Sequence, residues 1–261
     1  MNVVEISNLK KSYHKSSFAL KDLSLSITVG SIFGILGPNG AGKSTVLNIL
    51  AGIVKRTSGD VTIFERKIER GDYKYKKEIG FVLEQSHYLE KLTVKEYLHF
   101  AGAMYKIDEE EIEKRADELI GFFNLKEKEN IWIEKCSKGM KKKVSLAAAL
   151  IHQPKLIILD EPFEGIDPAS TRRIKNNLLL MAKQGVTIIM ASHNLEMVEK
   201  FCDEVAIINQ GRLVFQSKTE DIRTKIKNNI SRDSYESLEQ IFVDVISKGN
   251  SNKPKKLSWL K

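Results

Sequence analysis

Eight residues, Gly37-Pro38-Asn39-Gly40-Ala41-Gly42-Lys43-Ser44, constrain this chain more than any other stretch. They satisfy G-x-x-x-x-G-K-[ST] and follow directly on Ile32-Phe33-Gly34-Ile35-Leu36, an unbroken apolar run of the kind that fills a central strand covered on both faces. Glycines let consecutive backbone N–H groups turn toward one anion, and a helix starting where the loop ends adds its positive pole. Lys43 brings an ammonium suited to the β and γ oxygens of a nucleotide, and the Ser44 hydroxyl suits Mg²⁺. Strand, glycine loop and helix in this order predict an α/β chain that grips a polyphosphate.

A second strand-and-acid pattern supports the first. Leu156-Ile157-Ile158-Leu159 runs straight into Asp160-Glu161, placing two carboxylates at the end of a buried strand, the edge where open α/β sheets bind ligands. One can hold the shell of a metal ion while its neighbour accepts a proton from water. Val186 to Met190 reads as another interior strand, with a helix over 168–184 between the two, Pro168 at its first position and Asp167 as its cap. Leu23, Leu25, Ile27 and Val29 alternate with polar residues as a half-buried strand, and Val61 to Phe64 fits a further short strand. Residues 65–78, where basic and acidic groups alternate, read as a solvated edge or loop.

From about residue 93 the period becomes helical. Thr93 with Glu96, and Asp108 with Glu111, predict capping boxes. Ile112, Ala116, Leu119, Ile120 and Phe123 then fall on one helical face. Val205 to Phe215 predicts a hairpin turning at Asn209-Gln210-Gly211, and Leu238, Ile241, Phe242 and Val245 mark a last amphipathic segment.

Composition narrows the class. At 261 residues and 42% hydrophobic the chain has enough apolar surface to fold, which excludes disorder throughout. The apolar runs, such as Leu146 to Ile151, fall far short of the ~20 residues of a membrane span. Met1 to Lys11 lacks a secretory pattern, and Cys136 and Cys202 suit neither a disulfide framework nor a metal site, so a cytosolic protein is expected. Five lysines and no acid lie in residues 248–261, leaving the rest only +3 of the net +8. No specific nucleic-acid partner is therefore expected.

Together these motifs resemble the ATP-binding subunit of ABC transporters. Besides the glycine loop and the carboxylate strand, Cys136-Ser137-Lys138-Gly139-Met140 stands where that family carries L-S-G-G-Q, and His193 follows a strand at the expected place. The resemblance covers roughly residues 2 to 217. It implies an α/β P-loop NTPase with a mostly parallel core sheet, an N-terminal antiparallel β subdomain and an inserted helical subdomain at about 86–152. Residues 218–261 would be an extension ending in the basic tail.

The resemblance also implies roles, position by position. Tyr13 would stack on adenine. The loop Gly37, Pro38, Asn39, Gly40, Ala41, Gly42, Lys43, Ser44 and Thr45 would wrap the phosphates of ATP. Ser44 and, through water, Asp160 would hold Mg²⁺. Glu161 would be the general base, His193 would contact the γ-phosphate, and Asp167 would sit in a loop that communicates across a dimer. Ser137 and Gly139 would cover the nucleotide of a second copy or of a paralogous ATPase subunit, closing head to tail around two ATP. A separate integral membrane subunit would dock around residues 84–105, with the chain on the inner face of the membrane.

Three departures bear on these expectations. The signature carries Cys136 for Leu, Lys138 for Gly and Met140 for Gln, and Cys136 is expected to offer a thiol whose alkylation blocks dimer closure. Glu84 falls at the position of the family's glutamine loop, where a carboxylate can ligate magnesium; a one-residue shift would give the role to Gln85. The chain also continues past the minimal cassette. The pattern around Glu84 resembles exporters more than importers, with import of charged or polar solutes the open alternative. The runner-up is a soluble ATPase of the same superfamily acting on nucleic acid or ribosomes, although the second cassette or long coiled coil of such proteins is absent from the sequence.

Overall fold

A computed structural model of the chain describes residues 1–14, 17–69, 71–84, 88–222 and 238–247. Two sheets form its frame. β1 (Asn2–His14), β2 (Ser17–Thr28), β4 (Ser58–Ile63) and β5 (Arg66–Lys67) make an antiparallel sheet in the order β2-β1-β4-β5. The second sheet has the order β10-β9-β3-β8-β7-β6 and contains β3 (Ile32–Leu36), β6 (Ile79–Val82), β7 (Leu156–Asp160), β8 (Thr187–Ala191), β9 (Glu204–Asn209) and β10 (Arg212–Lys218). All its pairings are parallel except the β9–β10 hairpin. Every residue of β3, β7 and β8 is buried, as their unbroken apolar runs require for strands flanked and covered on both faces. The fold is thus the α/β P-loop architecture expected, with a mostly parallel core and an antiparallel β layer.

Helices fill the connections. α1 (Lys43–Leu50) leaves the glycine loop; α2 (Val94–Met104), α3 (Glu109–Phe122) and α4 (Lys138–Leu150) pack on one another between β6 and β7. α5 (Pro168–Lys183) joins β7 to β8, and α6 (Leu195–Phe201) joins β8 to β9. A final helix, α7 (Leu238–Ser247), packs on α6 and adds Leu238 and Ile241 to the main core. The side chain of Val245, Gln85 and the lysine-rich tail lie outside the described residues.

Caps and turns account for the boundaries. Thr93 and Glu96 form the reciprocal capping box at α2, and Asp167 caps α5 by accepting from the Ser170 amide at 2.8 Å. The second box is not formed. Asp108 occupies the cap position without a side-chain bond, and the Glu111 carboxylate accepts from Arg115 Nε at 2.7 Å, one turn along the helix. Val29 also departs from its expected role: β2 ends at Thr28, and Val29 lies in the turn at Gly30, exposed. In the 65–78 stretch, β5 is an exposed edge as expected, but a short 3₁₀ turn over Lys74–Glu78 buries Tyr75.

One contact ties the helical layer to the sheet. The His152 ring stacks on Tyr105 with centroids 3.6 Å apart, and its Nε2 lies 3.1 Å from the Ile79 carbonyl. A carbonyl only accepts, so Nε2 carries the proton; Nδ1 is buried without a hydrogen-bond partner. Burial holds the imidazole down at about 4, against its ordinary 6.5. Protons then bind the unfolded chain more than the folded one, and the stability His152 contributes is lost as pH falls from 6.5 toward about 4. His152→Gln keeps a donor for the Ile79 carbonyl and does not titrate. Its urea midpoint is expected to fall less than that of the unsubstituted chain across this window; equal slopes would assign the acid lability elsewhere.

Candidate functional site

Four segments emerge from the carboxyl ends of parallel strands and meet at one edge of the sheet. They are the glycine loop after β3, Glu84 after β6, Asp160-Glu161 at the end of β7, and Ser192-His193 after β8. This edge is where the strand order places neighbours on both sides of β3, and where α/β sheets take their ligands.

The glycine loop is locked from below and open above. Gly42, the residue before α1, has φ of 108°, and a Cβ there would lie 2.8 Å from the Ala19 carbonyl. Only glycine combines that conformation with such a close approach. The Gly211 amide of the β9–β10 turn donates to the Ala41 carbonyl at 2.9 Å, so β2, the loop and this hairpin interlock. Around Gly40, by contrast, a Cβ would meet nothing within 4 Å. α1 begins with no side-chain cap and no acid in its first turn, leaving its amides and positive pole open to an anion. Lys43, 9% exposed, donates to the Gly37 carbonyl at 2.7 Å and the Pro38 carbonyl at 3.2 Å. Burial lowers its pKa, and Glu161, Asp160 and Glu84 oppose that shift.

Asp160 is 2% exposed, and its carboxylate is hydrogen-bonded to Ser44. Burial raises its pKa, the Ser44 bond lowers it, and Glu84 and Glu161 raise it further. Glu161 has φ of 45°, an uncommon conformation outside glycine, and its amide donates to the Ala191 carbonyl at 3.0 Å. Its carboxylate accepts from three donors on the β8 side: the Ser192 hydroxyl at 3.2 Å, the His193 amide at 2.9 Å and the His193 ring Nδ1 at 2.8 Å. A carboxylate accepts, so Nδ1 is the protonated nitrogen here.

These residues fit a nucleoside triphosphate with a divalent cation. The uncapped helix start and open loop suit the phosphates, and Ser44 and Asp160, two of the three expected metal-side residues, are hydrogen-bonded to one another. Among the described residues no cluster of three His, Cys, Asp or Glu side chains is arranged to hold a metal. A cation here must take most of its oxygens from substrate and water, the habit of Mg²⁺.

Ser137 caps α4 by accepting from the Met140 amide at 3.2 Å. A Cβ on Gly139 would lie 2.3 Å from the Gly165 carbonyl, so glycine is required where α4 meets the loop after Glu161. Asp167, in the same loop, is held well below the usual carboxylate range by the Ser170 amide and hydroxyl, then by Lys143 at 3.0 Å. Cys136 corrects an expectation: it is buried, donates toward the Trp132 carbonyl at 3.7 Å, and burial raises its thiol pKa, so it is not an accessible thiolate. Tyr13 is half-exposed near the tip of the β1–β2 hairpin, close in register to the Ala19 that abuts Gly42. Glu84 is exposed on a cleft of about 730 Å³, shared with Ser44, Asp160 and the apolar side chains of Phe81, Phe100 and Met104.

Sequence reasoning did not single out Ser192 or Lys142. Lys142 is 6% exposed and its Nζ donates to the Asp160 carbonyl at 3.4 Å. The signal that could have found it was helical phase: Lys142, Ser145, Leu146 and Ala149 recur at i, i+3, i+4 and i+7 on the buried face of α4.

Comparison with known proteins agrees with this geometry. The family described as "ABC transporter" matches residues 20–164. The linearmycin resistance ATP-binding protein LnrL of Bacillus subtilis is 38% identical over 224 residues, 86% of this chain and 72% of that protein. The methionine import ATP-binding protein MetN of Francisella tularensis is 32% identical over 261 residues, 97% of this chain and 75% of its own length. Among solved structures, an ATP-binding subunit of an ABC transporter superposes with a TM-score of 0.84 at 28% identity, covering 93% of this chain and 99% of that one. The cassette MJ0796, a dimer in a post-hydrolysis state with ADP and Pi, gives 0.76 at 29% identity, covering 83% and 98%. With the glycine loop, the carboxylate strand end and His193 gathered at one sheet edge, this chain belongs to the ABC transporter family, as an ATP-binding cassette.

Proposed function

We propose that this chain is the ATP-hydrolysing, energy-coupling subunit of a transporter. Two copies, or one copy and a paralogous ATPase subunit, close head to tail around two Mg-ATP and drive a separate integral membrane subunit, which keeps the chain at the inner face of the cell membrane. The observation that carries the reading is the convergence of Lys43, Ser44, Asp160, Glu161 and His193 beside an uncapped helix start. Export is the direction proposed, supported by the pattern around Glu84 and by the 38% identity to a resistance protein, which exceeds the 32% to a methionine importer. The relatives' names favour transport over the reading as a soluble ATPase on nucleic acid or ribosomes. Among the described residues no helix is long and apolar enough to cross a membrane, and the apolar cleft between β6 and α2 is the proposed dock for the membrane subunit. In this reading residues 1–217 are the cassette, with the helical subdomain at about 86–152, and 218–261 are an appended extension.

The residues divide the work. Amides of Gly37 to Thr45 wrap the phosphates, and Lys43 leaves the Gly37 and Pro38 carbonyls for the β and γ oxygens. Tyr13 stacks on adenine. Ser44, Glu84 and, through water, Asp160 would hold Mg²⁺, which would neutralise phosphate charge. Glu161 takes the proton of the attacking water at the carboxylate that also accepts from the His193 ring. A neutral imidazole protonated at Nδ1 offers only a lone pair at Nε2, so His193 donates to the γ-phosphate after it turns from Glu161 or gains a second proton. Ser137 and Gly139 cover the nucleotide of the opposite copy, and Asp167 stands beside them through Lys143 on α4.

Glu161→Gln is expected to keep ATP binding, to lose about 10²–10⁴ in turnover, and to accumulate a nucleotide-bound dimer on size exclusion. Unchanged hydrolysis would remove the base from this position. Lys43→Ala loses a charge-assisted bond of about 1.5–3 kcal/mol, so equilibrium binding of a fluorescent ATP analogue should weaken by roughly 10- to 100-fold; wild-type affinity would refute the phosphate role. Glu84→Gln is expected to shift the Mg²⁺ dependence of hydrolysis while Gln85→Ala leaves it in place. The opposite pattern moves the metal-side role by one residue.

A further inference from the structure

Three lysines of α4 reach the segment from Asp160 to Asp167. Lys138 pairs with Glu164 at 2.6 Å and Lys143 with Asp167 at 3.0 Å, while between them Lys142 donates to the Asp160 main-chain carbonyl at 3.4 Å. The outer two pairs each have a member in solvent, and such pairs contribute little. Lys142 is different, because helical phase commits it to the buried face and it is 6% exposed. Burial lowers its pKa, so the one long bond to a carbonyl and the nearby carboxylates offset only part of the desolvation of the ammonium. The carboxylates that oppose this lowering are Asp160 and Glu164 from the β7–α5 segment and Glu84 from the segment after β6, while Lys138 on its own helix adds to it. Glu84, Asp160 and the Ser145 of α4 line one cleft.

We propose that Lys142 is a positioning residue: its buried ammonium is the rear countercharge of Glu84, Asp160 and Glu164, and it holds the two metal-side acids together before a divalent cation reaches their front. The inference rests on the reading of this edge as a Mg-nucleotide site. Asp160 is gripped from two sides, its carboxylate by Ser44 at the front and its carbonyl by Lys142 at the rear. A front cation and a rear ammonium neutralise the same acids, so each partly substitutes for the other. The same contact fastens α4, which starts at Ser137 and Gly139, to the strand end that carries Asp160.

The test is thermal unfolding of the full chain carrying Lys142→Met, Glu84→Gln or both, in EDTA and in Mg²⁺ with ADP. In EDTA, Lys142→Met is expected to lower Tm by about 5 °C or more. That deficit should at least halve in Mg²⁺ with ADP, and should also shrink in EDTA when Glu84→Gln is present. Lys142→Arg should retain most of the stability lost in Lys142→Met. A deficit of equal size under all these conditions would make Lys142 a packing residue and overturn the proposal, as would an arginine variant no better than methionine. Should the methionine variant not fold, Lys142→Gln, which keeps a donor without the charge, carries the same comparison. If the unsubstituted chain itself gains no stability from Mg²⁺ with ADP, the site reading fails, an outcome distinct from a deficit that ignores the cation.

Discussion

Like charges crowded at the carboxyl edge of the parallel sheet set the terms for everything around them. Asp160 is buried, with Glu161 beside it in sequence and Glu84 close enough to raise its pKa. Two unit charges ~4 Å apart interact by about 4 kcal/mol at an effective dielectric constant of ~20. Such a group needs partners, and the chain supplies them from opposite sides: Lys43 from the glycine loop and Lys142 from α4. Among the described residues neither lysine is tied up in a direct pair with a carboxylate. Lys43 rests on two main-chain carbonyls and Lys142 on a third, so the acids keep oxygens for other ligands.

The same restraint holds at Glu161. Glu161 is satisfied by three donors, all from Ser192 and His193, and so is occupied rather than exposed as a bare carboxylate. This arrangement offsets the desolvation of a half-buried acid. In the proposed mechanism a γ-phosphate near His193 would draw the ring from Glu161 by offering it another charged acceptor. The strained φ of Glu161 belongs to this arrangement: it sets the chain turning at the strand end, with the Glu161 amide on Ala191 and the side chain across to β8.

The sheet and the loop were legible because their determinants are local. Unbroken apolar runs of about five residues specify buried strands, and a glycine loop before a helix specifies a phosphate cradle whatever surrounds it. What stayed hidden depends on partners distant in sequence. Glu111 suited a capping box as well as an ion pair, and Arg115, itself anchored on the Ile151 carbonyl at 2.8 Å, took it. Val29 continued an alternation that the strand did not. Tyr75 looked solvent-facing within an alternating charged stretch and is buried. Cys136 read as an accessible thiol from its place in the signature, although the packing beneath α4 encloses it. Lys142 sat in a run of three lysines whose composition suggests solvent, and only the phase of the helix separates it from its neighbours.

Position along the chain also hides the support behind His193. The residue stands between β8, whose five residues are buried, and α6, which Asn194 caps by accepting from the Met197 amide at 2.8 Å. The outer face of α6 is covered by α7, which arrives from beyond the hairpin: its Leu238 amide donates to Glu199 at 3.4 Å, and Leu238 and Ile241 join Val198 and Phe201 in one core. A segment pinned at both ends in this way resists moving as a whole. Any movement of the ring off Glu161 therefore falls to rotation of the exposed His193 side chain, a motion that costs little packing and breaks one ring hydrogen bond while the His193 amide keeps its own.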